Sequence, residues 1–133
     1  MSFNPEYDSI GNAFVTHYYS MFDQGDPMIR AQGLSTLYDT ENSYMTFEGV
    51  QMKGRDAILQ KFQSLTFKSI ARAITKTDCQ PLYDGSVMIS VLGQLKTDED
   101  PIQSYNQLFI IRPNGAGSYF IANEMFRLVL HNN

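Results

Sequence analysis

The 133-residue sequence predicts an α+β domain in which helices cover one face of a curved antiparallel sheet. Three observations support this fold class. Apolar residues recur at helical spacing in the first half of the chain, strand-like segments follow one another in the second half, and turn sequences separate some of those segments. A chain of this length suits one domain, so we expect a single domain over residues 1–133.

The first predicted element is a helix over residues 4–23. Asn4 suits the N-cap and Pro5 suits the first helical position. One apolar stripe repeats at spacings of three and four residues and consists of Tyr7, Ile10, Phe14, Tyr18 and Met21. The sequence DQGDP then ends this helix, and residues 27–34 are predicted to form a short second helix.

A tight hairpin is predicted within residues 43–54, because strand-forming residues flank Glu48 and Gly49. A third helix is predicted over residues 54–65. Its apolar face is formed by Ile58, Leu59, Phe62 and Leu65. Four strands are then expected to form an antiparallel meander, over residues 67–79, 86–97, 102–112 and 118–131.

The long strands carry apolar residues on both faces, although a sheet with one wet face should alternate more cleanly. The predicted helices can cover only one of these faces. The other face is expected to meet a second copy of the chain, since two-fold dimers are the commonest oligomers. Met88 and Met125 are the candidate residues of this homodimer interface. A thick monomeric sandwich is the alternative, but too few elements remain to build it.

Composition excludes several classes of protein. The net charge is −4, the pI is about 5.0, and the Lys and Arg residues are scattered along the chain. A nucleic-acid partner is therefore not expected, because such binders usually have a basic face. An acidic protein instead suits a basic partner. The first residues do not resemble a signal peptide, and no apolar stretch is long enough to insert into a membrane. A reducing compartment, either the cytosol or the nucleus or both, is therefore expected.

No catalytic residue, metal ligand or cofactor is predicted. His17 and His131 are expected to be solvated or locally hydrogen-bonded imidazoles, and the single Cys79 has no identifiable base beside it. The chain also lacks metal-ligand spacings, a P-loop and a GxSxG motif.

An acidic cluster, Asp98 to Asp100, precedes Pro101 at the turn between two predicted strands. Such clusters usually mark a solvated turn. Glu48 lies at the other predicted hairpin, next to Phe47. If both hairpins lie at the same end of the sheet, the acids form a rim beside exposed aromatic groups, but residue spacing leaves both alternatives open.

Five segments resemble the nuclear transport factor 2 family when taken together. They are IGNAFVTHYYSMFD, MTFEGVQMKG, LTFKSIARAIT, GQLKTDEDPI and NEMFRLVLHN, and the similarity runs from about residue 5 to residue 132. The resemblance implies a cone-shaped α+β fold, a homodimer and a hydrophobic cavity in each subunit. It also implies a carrier that moves the GDP-bound GTPase Ran through nuclear pores into the nucleus. Such a carrier occupies cytoplasm and nucleus and is concentrated at the pores.

The resemblance also implies roles for particular residues. Glu48, Asp98 and Asp100 match acids that face basic residues in the switch II region of Ran, from which an aromatic side chain enters the cavity. The cavity and its neighbourhood match Phe47, Leu65, Phe67, Ile70 and Met125. Tyr7 stands where the family often has a tryptophan that binds the Phe-Gly repeats of nucleoporins.

Two other functions are compatible with such a fold. Small-molecule enzymes of the isomerase and dehydratase type share it, and so do interaction modules of RNA-export and stress-granule proteins. An enzyme needs a carboxylate or His deep in the cavity, whereas the acids matched by resemblance lie at its rim. A binding protein without catalytic activity is therefore the expected function.

Overall fold

The computed structural model describes residues 2–130, which form helices packed against one six-stranded sheet. The helices are α1 (Tyr7–Phe22), α2 (Pro27–Leu34) and α3 (Arg55–Ser64). The strands are β1 (Tyr44–Phe47), β2 (Val50–Lys53), β3 (Ile70–Pro81), β4 (Val87–Thr97), β5 (Gln103–Pro113) and β6 (Tyr119–Leu128). This order confirms the predicted α+β class.

The sheet is mixed rather than wholly antiparallel. Its strand order is β2-β1-β6-β5-β4-β3, and β3 to β6 form the predicted antiparallel meander. The meander returns β6 alongside β1 in the same direction, so these two strands pair in parallel, with Phe47 opposite Phe126. The prediction of antiparallel pairing throughout is therefore wrong at this one junction.

Helix α1 begins at Tyr7, three residues later than predicted. The Asn4 side chain accepts a hydrogen bond from the backbone N–H of Glu6 at 2.9 Å, so Asn4 stabilises a turn before the helix instead of capping it. Helix α2 has the predicted bounds. Its N-cap is Asp26, whose carboxylate accepts from the backbone N–H groups of Met28 and Ile29.

The core lies between the helices and the inner face of the sheet. It includes Tyr18, Leu34, Tyr38, Ile58, Phe62, Ile89, Tyr105, Phe109 and Ile121. A bulge interrupts the pairing of β5 with β6, since Ile111 pairs with Ile121 while Ile110 pairs with Asn123. The extra residue changes the alternation, so that Ile121 and Glu124 both face the core.

No helix in the described part of the chain packs on the outer face of the sheet. Tyr44, Leu92 and Met125 are exposed there, and Met88 is half-buried. Among residues 2–130, no helix has the length and apolar composition needed to cross a membrane. His17 is exposed on α1, whereas His131 and the end of the predicted last strand lie outside the described residues.

Candidate functional site

A cavity of about 170 Å³ opens at one end of the sheet, and its walls are largely apolar. The residues that line it are Tyr18, Phe22, Phe47, Glu48, Leu65, Phe67, Ile70, Arg72, Leu95, Thr97, Gln103, Gln107, Phe126 and Leu128. An apolar protein cavity of about 150 Å³ is known to hold benzene. This cavity therefore has room for one aromatic ring and a few further atoms.

Strand register explains why distant segments meet at the cavity. Phe47 pairs with Phe126, and Leu95 pairs with Gln103, so β1, β4 and β6 end where β5 begins. The Phe47 and Phe126 rings stack with their centroids 4.9 Å apart and form one wall. The two hairpin turns that carry the predicted acids consequently lie at the same end of the sheet.

Glu48 reaches the cavity mouth from a tight turn. Both central residues of this turn have positive φ, 50° at Glu48 and 85° at Gly49, which is typical of a two-residue hairpin. The Glu48 carboxylate accepts a hydrogen bond from the backbone N–H of Leu128 at 2.6 Å. This bond fixes a negative charge beside the opening.

Asp98 and Asp100 lie beside the rim instead of lining the cavity. Asp98 accepts hydrogen bonds from the backbone N–H groups of Ser69 and Lys68, at 3.0 and 2.9 Å, and these bonds lower its pKa. They also hold the segment between Phe67 and Ile70, two residues of the cavity wall. Asp100 is exposed at the same turn.

The predicted apolar residues divide into two groups. Phe47, Leu65, Phe67 and Ile70 all line the cavity. Met125 does not, since it is 51% exposed on the outer face of the sheet, where Thr46 pairs with it. The placement of Met125 near the cavity is therefore wrong, because side chains alternate along β6 and its neighbours Glu124 and Phe126 face inward.

Arg30 is a buried cation that was not among the predicted site residues. Its guanidinium donates to the backbone carbonyls of Phe22 at 2.8 Å, Gln24 at 2.8 Å and Leu65 at 2.9 Å, and to that of Phe67 at 3.3 Å. It also lies 4.2 Å from the centre of the Phe67 ring. Arg30 thus connects the end of α1 to the loop that forms one side of the cavity.

Arg72 was also missed, and it lines the cavity directly. It forms a two-pronged ion pair with Asp23, at 2.7 and 3.1 Å, and its guanidinium lies 3.9 Å from the centre of the Tyr19 ring. The sequence could have identified Arg72 only through the alternation of side chains along β3, which places Arg72 on the same inward face as Ile70.

Glu124 is buried behind the cavity. Its carboxylate accepts hydrogen bonds from Tyr38 at 2.5 Å, Tyr18 at 2.7 Å and the Gln107 amide at 2.7 Å. Tyr18 and Gln107 line the cavity and separate it from Glu124. Burial raises the pKa of Glu124 from 4.5 to about 7, although these hydrogen bonds oppose the rise. In the sequence, Glu124 is an acidic residue among the alternating apolar residues of β6, and this was the signal that could have identified it.

Glu124 should make folding stability depend on pH. Folding raises its pKa, so its contribution is complete below about pH 4.5 and is lost as the pH rises through about 7. Compared with Glu124→Gln, the wild-type free energy of unfolding should fall by about 2–3 kcal/mol more between pH 5 and 8. Urea unfolding at several pH values measures this difference. Parallel curves for the two proteins would contradict the assignment.

Tyr7 lies far from the cavity, near the opposite end of the sheet. It is half-buried on the first turn of α1. Phe3 and Tyr83 form an exposed edge-to-face pair at this end, 56% and 61% accessible, with ring centres 5.3 Å apart. Cys79 on β3 is half-buried, and burial raises the pKa of its thiol to about 11, so it is a poor nucleophile.

Comparison with known proteins identifies similar chains. The family model of the nuclear transport factor 2 (NTF2) domain matches residues 10–128. A Caenorhabditis elegans protein named "Probable nuclear transport factor 2" is 70% identical, with all of both chains covered. Nuclear transport factor 2 of Emericella nidulans is 38% identical over 93% of this chain and 96% of its own. The structure of Ntf2 from Cryptosporidium parvum has a TM-score of 0.87 at 35% identity, covering 97% of this chain and 99% of its own.

Proposed function

The chain belongs to the nuclear transport factor 2 family and is a nuclear transport protein, and we propose that its cargo is GDP-bound Ran. In this proposal it takes up Ran·GDP in the cytoplasm, contacts the Phe-Gly repeats of nucleoporins and carries Ran through the pore into the nucleus. It is concentrated at nuclear pores and uses no cofactor.

The apolar cavity with Glu48 at its mouth is the observation that supports this cargo. An aromatic side chain that enters the cavity buries about 150–250 Å². At ~25 cal/mol per Å² this gives on the order of 4–6 kcal/mol before the costs of ordering are subtracted. The cavity therefore provides most of the affinity in this proposal.

The acids provide orientation and selectivity. An exposed ion pair contributes only about 0.2–1 kcal/mol, but loss of one partner from a desolvated pair costs about 2–5 kcal/mol. Glu48 is held in place by Leu128 and faces the opening, so it suits a basic group beside an inserted ring. We assign the preference for the GDP form to Ran itself, because the family resemblance implies that switch II differs in Ran·GTP.

Gel filtration with purified Ran tests the proposal. The protein should co-elute with Ran loaded with GDP and should elute separately from Ran loaded with GTP. Equal co-elution with both forms would show that the protein does not distinguish Ran·GDP from Ran·GTP. Separate elution from both forms would contradict the assignment of Ran as cargo. The same column measures the size of the free protein, which we propose is a homodimer.

The uncovered outer face supports the homodimer. Tyr44, Leu92 and Met125 expose apolar surface there beside half-buried Met88. Contiguous apolar surface of this kind usually marks an interaction site. Met88 and Met125 are accordingly the proposed interface residues.

We also propose that the protein is not an enzyme. The related proteins above are named as transport factors. Both oxygens of the buried Glu124 already accept hydrogen bonds, and Tyr18 and Gln107 separate this carboxylate from the cavity. A general base must reach its substrate, so this arrangement favours a structural role for Glu124.

The Tyr7→Ala substitution should weaken binding to Phe-Gly repeats and leave binding to Ran·GDP unchanged. Tyr7 offers part of a ring at the end of the sheet opposite the cavity, so the two partners should bind independently. Pull-downs on repeat-coated beads measure the first effect, and Ran·GDP co-elution is the control. Undiminished pull-down would show that the Phe-Gly repeats bind at another site. The Phe3→Ala substitution would then test whether the exposed Phe3–Tyr83 pair binds them.

A further inference from the structure

Glu48 places a carboxylate against the wall of the apolar cavity. Glu48 and Leu128 both line the cavity, and one carboxylate oxygen of Glu48 accepts from the backbone N–H of Leu128 at 2.6 Å. The backbone N–H of Glu48 donates to the carbonyl of Phe126, another residue of the lining, at 3.0 Å. Neutral backbone groups therefore hold this negative charge in place beside the opening.

No basic side chain forms an ion pair with Glu48 in the part of the chain that the structure describes. Arg72 lines the cavity, but it is paired with Asp23 at 2.7 Å. Lys61 lies near the wall, and its Nζ is 4.9 Å from the centre of the Phe47 ring. Attraction between opposite charges is screened less beside apolar surface than in open solvent. A ligand that brings a positive charge to Glu48 therefore gains an interaction that this chain leaves open.

The inner polar groups of the lining are already hydrogen-bonded. Tyr18 donates its hydroxyl proton to Glu124, and so does the amide of Gln107, both at 2.7 Å. Thr97 and Gln103 lie where β4 ends and β5 begins, at the same end of the sheet as the opening. The rest of the lining is largely apolar and includes several aromatic rings. An occupant of the interior thus gains most from an apolar ring.

Size and charge restrict the occupant to a ring with a short cationic chain. The cavity has a volume of about 170 Å³, and an apolar cavity of about 150 Å³ is known to hold benzene. A ring therefore fills most of the interior, and only a short chain can extend from it to the mouth. Glu48 there repels an anion and attracts a cation, and Asp98 and Asp100 beside the rim act in the same direction.

We propose that the cavity is also a binding site for small arylalkylammonium ions. The aromatic ring occupies the apolar interior, and the ammonium group pairs with the carboxylate of Glu48. Burial of the ring provides most of the affinity, and the charge selects amines over alcohols and carboxylates of similar shape. This ligand class goes beyond the proposed cargo, and the site uses only groups of this chain.

Three ligands of similar size test the proposal at neutral pH, where the amine is protonated. They are 2-phenylethylamine, 2-phenylethanol and phenylacetate, and NMR titration gives the dissociation constant of each. The amine should bind roughly fivefold or more tightly than the alcohol, and the carboxylate should bind most weakly. Glu48→Gln retains an oxygen for the Leu128 N–H but removes the charge, so it should abolish most of this preference. Glu41→Gln, at an exposed turn, should retain it.

A second measurement on the wild type keeps the test decisive if Glu48→Gln does not fold. Ring currents from the bound amine should shift the methyl NMR signals of Leu65, Leu95 and Leu128, which line the cavity. The methyl signals of Leu92, exposed on the outer face of the sheet, should stay in place.

Four results would overturn the proposal. They are equal affinity for the amine and the alcohol, a preference that persists in Glu48→Gln, shifts at Leu92 instead of at the cavity leucines, and the absence of saturable binding in the millimolar range. No Ran is present in these assays, so such a failure leaves the cargo proposal to its own experiment.

Discussion

The Glu48→Lys substitution is expected to weaken binding to Ran·GDP strongly while the protein stays folded. It reverses the charge at the cavity mouth and removes the acceptor for the Leu128 N–H. Reversal of a desolvated charge at an interface typically costs several kcal/mol, so affinity should fall by roughly thirtyfold or more. Isothermal titration calorimetry measures the change, and circular dichroism checks the fold.

Two further variants separate the causes. Glu48→Gln keeps an oxygen that can accept from Leu128 but removes the charge, so it isolates electrostatics. Glu41→Lys makes the same change in net charge at an exposed position on another turn, and it should preserve binding. Unchanged affinity for Glu48→Lys, or an equal loss for Glu41→Lys, would remove the argument for a specific acidic contact at the mouth.

The Arg30→Met substitution is expected to give the largest loss of stability. Arg30 is fully buried, and its removal leaves the carbonyls of Phe22, Gln24 and Leu65 without their donor. Unsatisfied buried groups each cost about 1–3 kcal/mol, so the free energy of unfolding should fall by roughly 3 kcal/mol or more. Chemical denaturation measures this loss. Binding to Ran·GDP should weaken as well, because Leu65 and Phe67 form part of the cavity wall.

Arg112→Met is the matched control for this prediction. Arg112 is exposed on β5, so the same chemical change should alter stability by no more than about 0.5 kcal/mol. Arg30→Lys retains the charge but cannot reach all the carbonyls, and an intermediate loss is expected. Equal stability of the two methionine variants would show that the buried guanidinium contributes little.

Periodicity was sufficient to predict most of the secondary structure. The bounds of α2, the turn at Glu48 and Gly49, and the antiparallel meander all follow from local pattern and turn chemistry. The parallel pairing of β1 with β6 does not, because it depends on which edge of the meander the hairpin joins. Local sequence carries no information about that choice.

The polar part of the cavity was harder to predict than the apolar part. Phe47, Leu65, Phe67 and Ile70 were assigned by resemblance, and all line the cavity. Arg30, Arg72 and Glu124 were missed because charged residues are rarely buried, so their charge alone suggests the surface. Their burial becomes visible only when the carbonyls, Asp23 and the tyrosines that hydrogen-bond them are placed in space.

The contact between Glu48 and Leu128 joins residues 80 positions apart, and Phe47 stacks on Phe126 beside it. The entrance to the cavity is thus completed by the final strand of the sheet. In the proposed function, a ribosome-bound chain that has not yet released β6 cannot capture cargo. Local fraying of β6 should likewise release cargo before the rest of the protein unfolds.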